Sequence, residues 1–361
     1  MKVLHLQPEL NITCGVSKAI YTLTRNASSE VDNFIVTLGG DGIERFNYLG
    51  ERLILLNYKK SNIFYTPIIF LNVLRICIRK NIDIIHSHHR YFDLMAYLIS
   101  KLKRIKTVTT VHSMVRGYEN ISYKSDIIIS VSNSIKNHLI NQFSIKERKI
   151  KVIHNFVLKE ESTHISDKNN IGIFLPDNSL NVVFIGRFDD EKGIDILLKA
   201  FLSVQNSNPK LYLILVGSGS KEKFVKDFIK GNNLSATVVE PRYDIFDIYK
   251  IADLVVLPSR VDPFPLVMLE AGLMKLPFIG SNVDGIAEVI VHESNGLLFE
   301  KENIGELSGM IEYMTADINK AKQYGINLYN DVINNYLAEK GIASYKKVYT
   351  ELLLERNELI N

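Results

Sequence analysis

The chain has 361 residues, 46% of them hydrophobic and 23% charged, with a formal net charge of +3. This is a globular composition too long for one ordinary core, so two domains of roughly 100–200 residues are expected. No apolar run approaches the roughly 20 residues that span a bilayer, and Cys14 and Cys77, far apart and in no metal-ligand spacing, argue against a disulfide framework and fit a reducing compartment.

The start, MKVLHLQPEL, places His5, Gln7, Pro8 and Glu9 where an export signal needs an unbroken apolar core, so a cytoplasmic location is expected. Strand-like runs then recur: KVLHL (2–6), FIVTL (34–38), RLILL (52–56), DIIHS (83–87), TVTTV (107–111), DIIIS (126–130) and KVIHN (151–155). Helix-length segments separate several of them. Residues 159–180 are polar and aperiodic and read as a boundary. The pattern restarts with NVVFIG (181–186), LYLILVG (211–217), ATVVE (236–240), DLVVLP (253–258) and PFIGS (277–281), and from about 302 onward the chain reads as helical. Such alternation predicts an α/β protein of two doubly wound parallel domains. We expect one Rossmann-like domain over 1–165, a second over 166–335, and a C-terminal helix, 336–361, packing back on the first. In sheets of this kind ligands bind at the carboxyl ends of the strands, so both domains should present their site residues to a cleft.

Charge divides unevenly between the halves. Residues 1–160 hold 23 Lys+Arg against 12 Asp+Glu, a net +11, and the remainder is net −8. RICIRK (75–80) and SKLKRIK (100–106) set basic residues beside apolar ones, either as a surface that meets anionic lipid or an anionic acceptor, or as an ordinary solvated face. No recognition motif or aromatic-basic interleaving points to nucleic acid.

Among the motifs, DIIHSHH crowds His86, His88 and His89 at a strand end, where they would contact an acceptor or be structural. Three close histidines also suggest a metal, but no spaced carboxylate accompanies them, and none is expected. FIGRFDDEKGIDILLKAF (184–201) runs strand, loop, helix, with Arg187 and Lys192 in the loop. Two cations beside free N–H groups at a helix start would cradle a diphosphate; from spacing alone an ordinary charged loop fits as well. LVGSGS (215–220) is a second glycine turn, weak by itself, with Gly217 closing its strand. In VDPFPLVMLE (261–270), Pro263 and Pro265 suit the first turn of a helix over 266–274. Leu266 and Val267 then offer unpaired N–H donors, suited to a phosphate, between Asp262 and Glu270. Those carboxylates suit sugar or ribose hydroxyls, or are a helix cap and a solvated glutamate.

Taken together, GRFDDEKG, LVGSGS, ADLVVLPS (252–259) and DPFPLVMLEAGLMKLPFIGSNVDGIAEVI (262–290) resemble the nucleotide-sugar glycosyltransferases of the large retaining family 4, with the GT-B fold. The resemblance covers the second domain; in the first, NITCGVSKAI (11–20), TVHSM (110–114) and SVSNS (130–134) are similar more loosely. It implies that Arg187 and Lys192 hold the donor diphosphate, Glu270 its ribose hydroxyls and Asp262 the donor sugar, and that His112 lies near the reacting sugar. Asp262 stands where the family usually has Glu, and Cys14 replaces the first glycine of a usual pair, leaving Gly15 to let backbone approach the donor. The implied reaction transfers a hexose from a nucleotide diphosphate sugar, a UDP-sugar being expected ahead of a GDP-sugar, with retention and no metal, to a saccharide or lipid-linked acceptor in bacterial surface polysaccharide synthesis at the inner membrane face. Domain closure would exclude water. Rival readings are another enzyme of this fold, such as an epimerase or phosphorylase, and a non-catalytic nucleotide-sugar binder.

Overall fold

Runs such as NVVFI and LYLILV are apolar on both faces, which requires helices above and below a parallel sheet. The computed structural model has this arrangement twice. It describes residues 1–58, 63–162, 173–243 and 245–358, in two units: Met1–Asn155 with the chain from Ala338 on, and Phe156–Leu337.

In the first unit, seven parallel strands, β1 (Lys2–Leu6), β2 (Asp32–Thr37), β3 (Leu53–Leu55), β4 (Ile84–Ser87), β5 (Lys106–Val111), β6 (Ile127–Ser130) and β7 (Ile150–Val152), lie in the order β3-β2-β1-β4-β5-β6-β7. Helices α1 (Gly15–Arg25), α2 (Thr66–Lys80), α3 (Arg90–Leu102) and α4 (Asn133–Phe143) lie between strands. α2 and α3 pack through Ile69, Val73, Phe92 and Ile99 onto one cluster with Leu4, Leu6, Phe34 and Val36 of the sheet. Strand order reverses between β1 and β4, where His5 and His86 are register partners.

The second unit holds six parallel strands: β8 (Leu180–Ile185), β9 (Leu211–Val216), β10 (Ala236–Val239), β11 (Leu254–Leu257), β12 (Phe278–Ser281) and β13 (Leu297–Phe299), ordered β10-β9-β8-β11-β12-β13. Its helices are α5 (Ile194–Gln205), α6 (Glu222–Gly231), α7 (Phe246–Lys250), α8 (Leu266–Leu273), α9 (Asp284–Ala287), α10 (Ile304–Ala316) and α11 (Ile318–Asn335). Here the order reverses between β8 and β11, so the loops after these two strands lie at the switch point.

The final helix, α12 (Ala338–Glu358), belongs to the first unit. Its Tyr349 and Tyr345 hydroxyls reach His86 Nδ1 (2.6 Å) and Thr110 Oγ1 (3.3 Å). The units therefore divide at Asn155/Phe156 and Leu337/Ala338, ten residues before and two after the sequence-based boundaries at 165 and 335. Residues 163–172 of the expected boundary segment, 159–180, lie outside the described residues. β13 is an addition to the expected strands: three residues with no flanking pattern give no periodic signal.

Candidate functional site

In the second unit the loop after β8 is wedged between the loops that follow β9 and β11. Two glycines make this possible. Gly217 has φ +151°, and a Cβ there would come within 1.9 Å of the Gly186 carbonyl oxygen; at Gly193, φ +65°, it would sit 2.0 Å from that of Pro258. The close approach brings Lys192 to Asp262. Its ammonium lies 2.5 Å from Asp262 Oδ2, and the aspartate side chain is 4% exposed. The Ser259 hydroxyl donates to the same oxygen (3.0 Å), and the Asp262 backbone N–H donates to Asp284 (3.0 Å). Burial raises the pKa of Asp284, and the charge of Asp262 adds to that, against the hydrogen bond from the Asp262 backbone.

Arg187 projects from the same loop, half exposed, against Asp189 (3.1 Å) and Glu191 (2.8 Å). Exposed pairs of this kind are worth at most about 1 kcal/mol, so a doubly charged anion can displace them. α8 begins after Pro265, which caps it with no side-chain hydrogen bond, and no acidic residue stands in its first turn. The N–H groups of Leu266 and Val267 thus add positive potential at the helix start. One turn on, Glu270 is buried and accepts a hydrogen bond from Tyr249 (2.7 Å). Burial, and then the neighbouring Glu270 charge, push the Tyr249 hydroxyl well above its usual pKa.

Arg260 ties this ensemble down. It makes a bidentate pair with Asp195 (2.8 and 2.9 Å), reaches Glu302 and donates to the Asp190 carbonyl (2.8 Å). Hydrogen bonds from Arg260 hold the Asp195 carboxyl down at about 2, burial opposing them. The loop after β11 is thereby fixed to the start of α5. Tyr249, Ser259, Arg260 and Asp284 were not singled out from the sequence: each acts across 20 or more residues or from within a turn, where no local spacing marks it.

In the first unit, four histidines gather at the strand-order reversal. His5 Nε2 lies 3.0 Å from Asn33 Oδ1, His5 Nδ1 3.0 Å from His88 Nε2, and His88 Nδ1 3.3 Å from His112 Nε2. His86 bonds Tyr349 through Nδ1 and Thr110 through Nε2 (2.8 Å). Burial depresses the pKa of all four, to about 4 in His5 and His112 and well below the usual value in His86 and His88. The expectation that His86 contacts an acceptor is corrected, since it is fully buried with both ring nitrogens engaged. His88 is nearly as buried, and His89 uses Nδ1 to cap α3 at the Tyr91 N–H (3.2 Å). His112 is half-buried just past β5, and among the described residues no protein atom bonds its Nδ1. His5, in an apolar strand, was read only as ruling out an export signal; its pairing with His86 across β1 and β4 would have marked it. Gly15 opens α1 in the exposed position where a side chain would meet nothing within 4 Å.

Ligand atoms of His5, His86 and His88 lie within 4.8 Å of one another, close enough for a metal ion. Every one of their six nitrogens already has a protein partner at 2.6–3.3 Å. The chemistry of the group is that of a hydrogen-bonded network.

Comparison with known proteins bears on the family and the fold. Residues 13–160 match the family described as Glycosyltransferase Family 4, and residues 166–331 match Glycosyl transferases group 1. An uncharacterized glycosyltransferase of Methanocaldococcus jannaschii is 31% identical over 289 residues, 76% of each chain. The N-acetyl-alpha-D-glucosaminyl L-malate synthase of Bacillus anthracis is 26% identical, again over 76% of each. In fold, the chain is similar to Anabaena HepE, solved with UDP and glucose, at TM-score 0.83 and 18% identity over 97% of this chain and 99% of that one. With two Rossmann-like units of the GT-B class, a family match on each, and a relative at 31% identity across 76% of both chains, this protein belongs to the family 4 glycosyltransferases.

Proposed function

We propose that the protein transfers a hexose from a UDP-sugar, with retention of configuration, to a saccharide or lipid-linked saccharide in bacterial surface polysaccharide assembly. The observation that carries the reading is the Lys192–Asp262 pair beside the uncapped start of α8. Arg187, Lys192 and the Leu266 and Val267 N–H groups supply the positive potential that a departing diphosphate requires, so the reading assigns no metal to the reaction. Glu270, held by Tyr249, takes the ribose hydroxyls, and Asp262 takes hydroxyls of the donor sugar. Gly15 gives the substrate backbone-close access in the first unit, where His112 meets a hydroxyl.

Retention follows if the acceptor oxygen attacks from the face the diphosphate leaves. The anomeric carbon–phosphate oxygen bond breaks, the bond to the acceptor oxygen forms, and the acceptor's proton passes to the departing phosphate. No protein nucleophile takes part in this route.

A membrane-associated acceptor suits the outer faces of α2 and α3. Ile68, Leu71, Ile78, Leu98 and Leu102 are exposed there, interleaved with Arg75, Arg79, Lys101, Lys103 and Arg104. Among the described residues no helix is long and apolar enough to cross a membrane, so the reading is of a peripheral contact at the cytoplasmic face.

Calorimetric titration with UDP, GDP and their hexose conjugates tests the donor assignment. Binding of one UDP-sugar, lost in Arg187→Ala and Glu270→Ala, is the expected outcome. Silence toward every nucleotide sugar, in a folded protein, would refute it. NMR of the product's anomeric proton reads retention against inversion.

A further inference from the structure

The four clustered histidines of the first unit divide into two arrangements. His86 is closed off between Thr110 and Tyr349. His5, His88 and His112 form a line instead, each imidazole bonded to the next, with Asn33 at the inner end and, at the outer end, a ring nitrogen that no protein atom among the described residues bonds.

We propose that Asn33, His5 and His88 are positioning residues that hold His112 in its Nε2–H tautomer, so that its Nδ1 presents a lone pair to a substrate hydroxyl. The direction of the line follows from its inner end. Asn33 Oδ1 can only accept, so His5 Nε2 carries the proton of that bond. A neutral imidazole has one donor and one acceptor, which leaves His5 Nδ1 bare to accept from His88 Nε2–H. His88 Nδ1 is then bare in turn and accepts from His112 Nε2–H. At the end of the line His112 Nδ1 has no proton.

Neutrality is what makes the line directional, and burial of the group supplies it, since charging any ring here is opposed by desolvation. A donor at the inner end, such as the asparagine amide turned the other way, would reverse every bond and make His112 Nδ1 a donor. The orientation of one buried side chain thus decides whether the site offers a substrate hydroxyl an acceptor or a donor. Only the identity of the hydroxyl, on a sugar substrate, rests on the hexosyltransferase reading; the tautomer does not.

The experiment is a two-bond proton–nitrogen NMR correlation on the full chain labelled with nitrogen-15 histidine, His112 being assigned by loss of its signals in His112→Gln. Expected is a protonated Nε2 and a bare Nδ1 at His112 in the wild type near neutral pH. A protonated Nδ1 overturns the proposal before any variant is made. Asn33→Leu should then turn His112 into a mixture of tautomers and lower kcat about tenfold with unchanged UDP affinity, while Asn33→Asp, which still only accepts, should keep the tautomer and restore most of kcat. Unchanged His112 signals or unchanged kcat in Asn33→Leu would also overturn it. Failure of the transferase reading is seen separately, as absence of turnover in a wild type whose His112 tautomer is as expected.

Discussion

Lys192 and Asp262, 70 residues apart, meet as a partly buried ion pair where the loops after β8 and β11 converge. The ammonium has three donors, so it can keep Asp262 and still bond a phosphate oxygen. Lys192→Met should lower kcat by about 10²–10³, the range for removing one stabilising donor at a developing negative charge. Asp262→Asn should cost as much or more. The double variant should cost far less than the sum, because each single change leaves the other group without its partner. Steady-state kinetics of the three proteins decide this; additive losses would mean that the pair does not act as a unit.

Glu270 and Tyr249 give a second test. Tyr249→Phe removes one hydroxyl from a buried carboxylate without changing the packing volume. The lost hydrogen bond should lower stability by about 1–3 kcal/mol and weaken UDP binding several-fold. Thermal melting and calorimetry read the two effects independently, and a variant with wild-type UDP affinity would remove Glu270 from the ribose site.

How far the sequence foretold this site depends on where the information lies. Glycines and prolines mark the βα turns of a parallel sheet, so the positions of Arg187, Lys192, Asp262 and the start of α8 were readable from GRFDDEKG and DPFPLVMLE. The strands were readable too, except where β13 is too short to show a period. Contacts made across the sheet were not. A histidine at position 5 of an apolar strand looks like any core residue until β1 is placed beside β4, and Tyr249 becomes relevant only once α7 is packed against α8. The burial that separates His86 from His112 is likewise a property of the fold and of α12, which closes over one ring and leaves the other accessible.

Asp195 and Arg260 predict an acid-sensitive contribution. The aspartate titrates at about 2 in the folded protein, against roughly 3.9 unfolded. A depressed carboxylate stabilises fully above its unfolded pKa, and that stabilisation is lost as pH falls from about 4 toward 2. In Arg260→Ala the folded value should rise toward the unfolded one. Urea unfolding should therefore show the variant less stable by a constant amount from pH 7 to 5, with the gap closing below pH 4. A gap that keeps its full size down to pH 2 would assign it to lost packing of the Arg260 stem.

The histidines act over a higher window. Their folded pKa values lie below the unfolded value of about 6.5, so the unfolded chain takes up protons first as pH falls. Stability is full above pH 6.5 and declines toward pH 4, each histidine adding a slope of up to about 1.4 kcal/mol per pH unit. Urea midpoints followed by tyrosine fluorescence at pH 7.5, 6.5, 5.5 and 4.5 should fall steeply over the last three. A flat profile would show that these rings are not held neutral.

The apolar and basic faces of α2 and α3 make the membrane reading testable apart from catalysis. Each helix turns a buried stripe to the same core cluster, which leaves Ile78 and Leu102 outside it, 49% and 62% exposed. Their removal should cost the fold little, since surface substitutions away from special features usually stay within about 0.5 kcal/mol. Charge reversal there should matter to an anionic surface, where each nearby Lys or Arg contributes about 1 kcal/mol and a new carboxylate opposes it. Ile78→Glu with Leu102→Glu should abolish co-sedimentation with phosphatidylglycerol vesicles while leaving kcat on a water-soluble acceptor unchanged. Raising the salt from 0.05 to 0.5 M should weaken binding of the wild type, as screening shortens the reach of the basic residues. Wild-type binding that ignores both lipid charge and salt, or a double variant that still sediments with the vesicles, would assign this face to solvent.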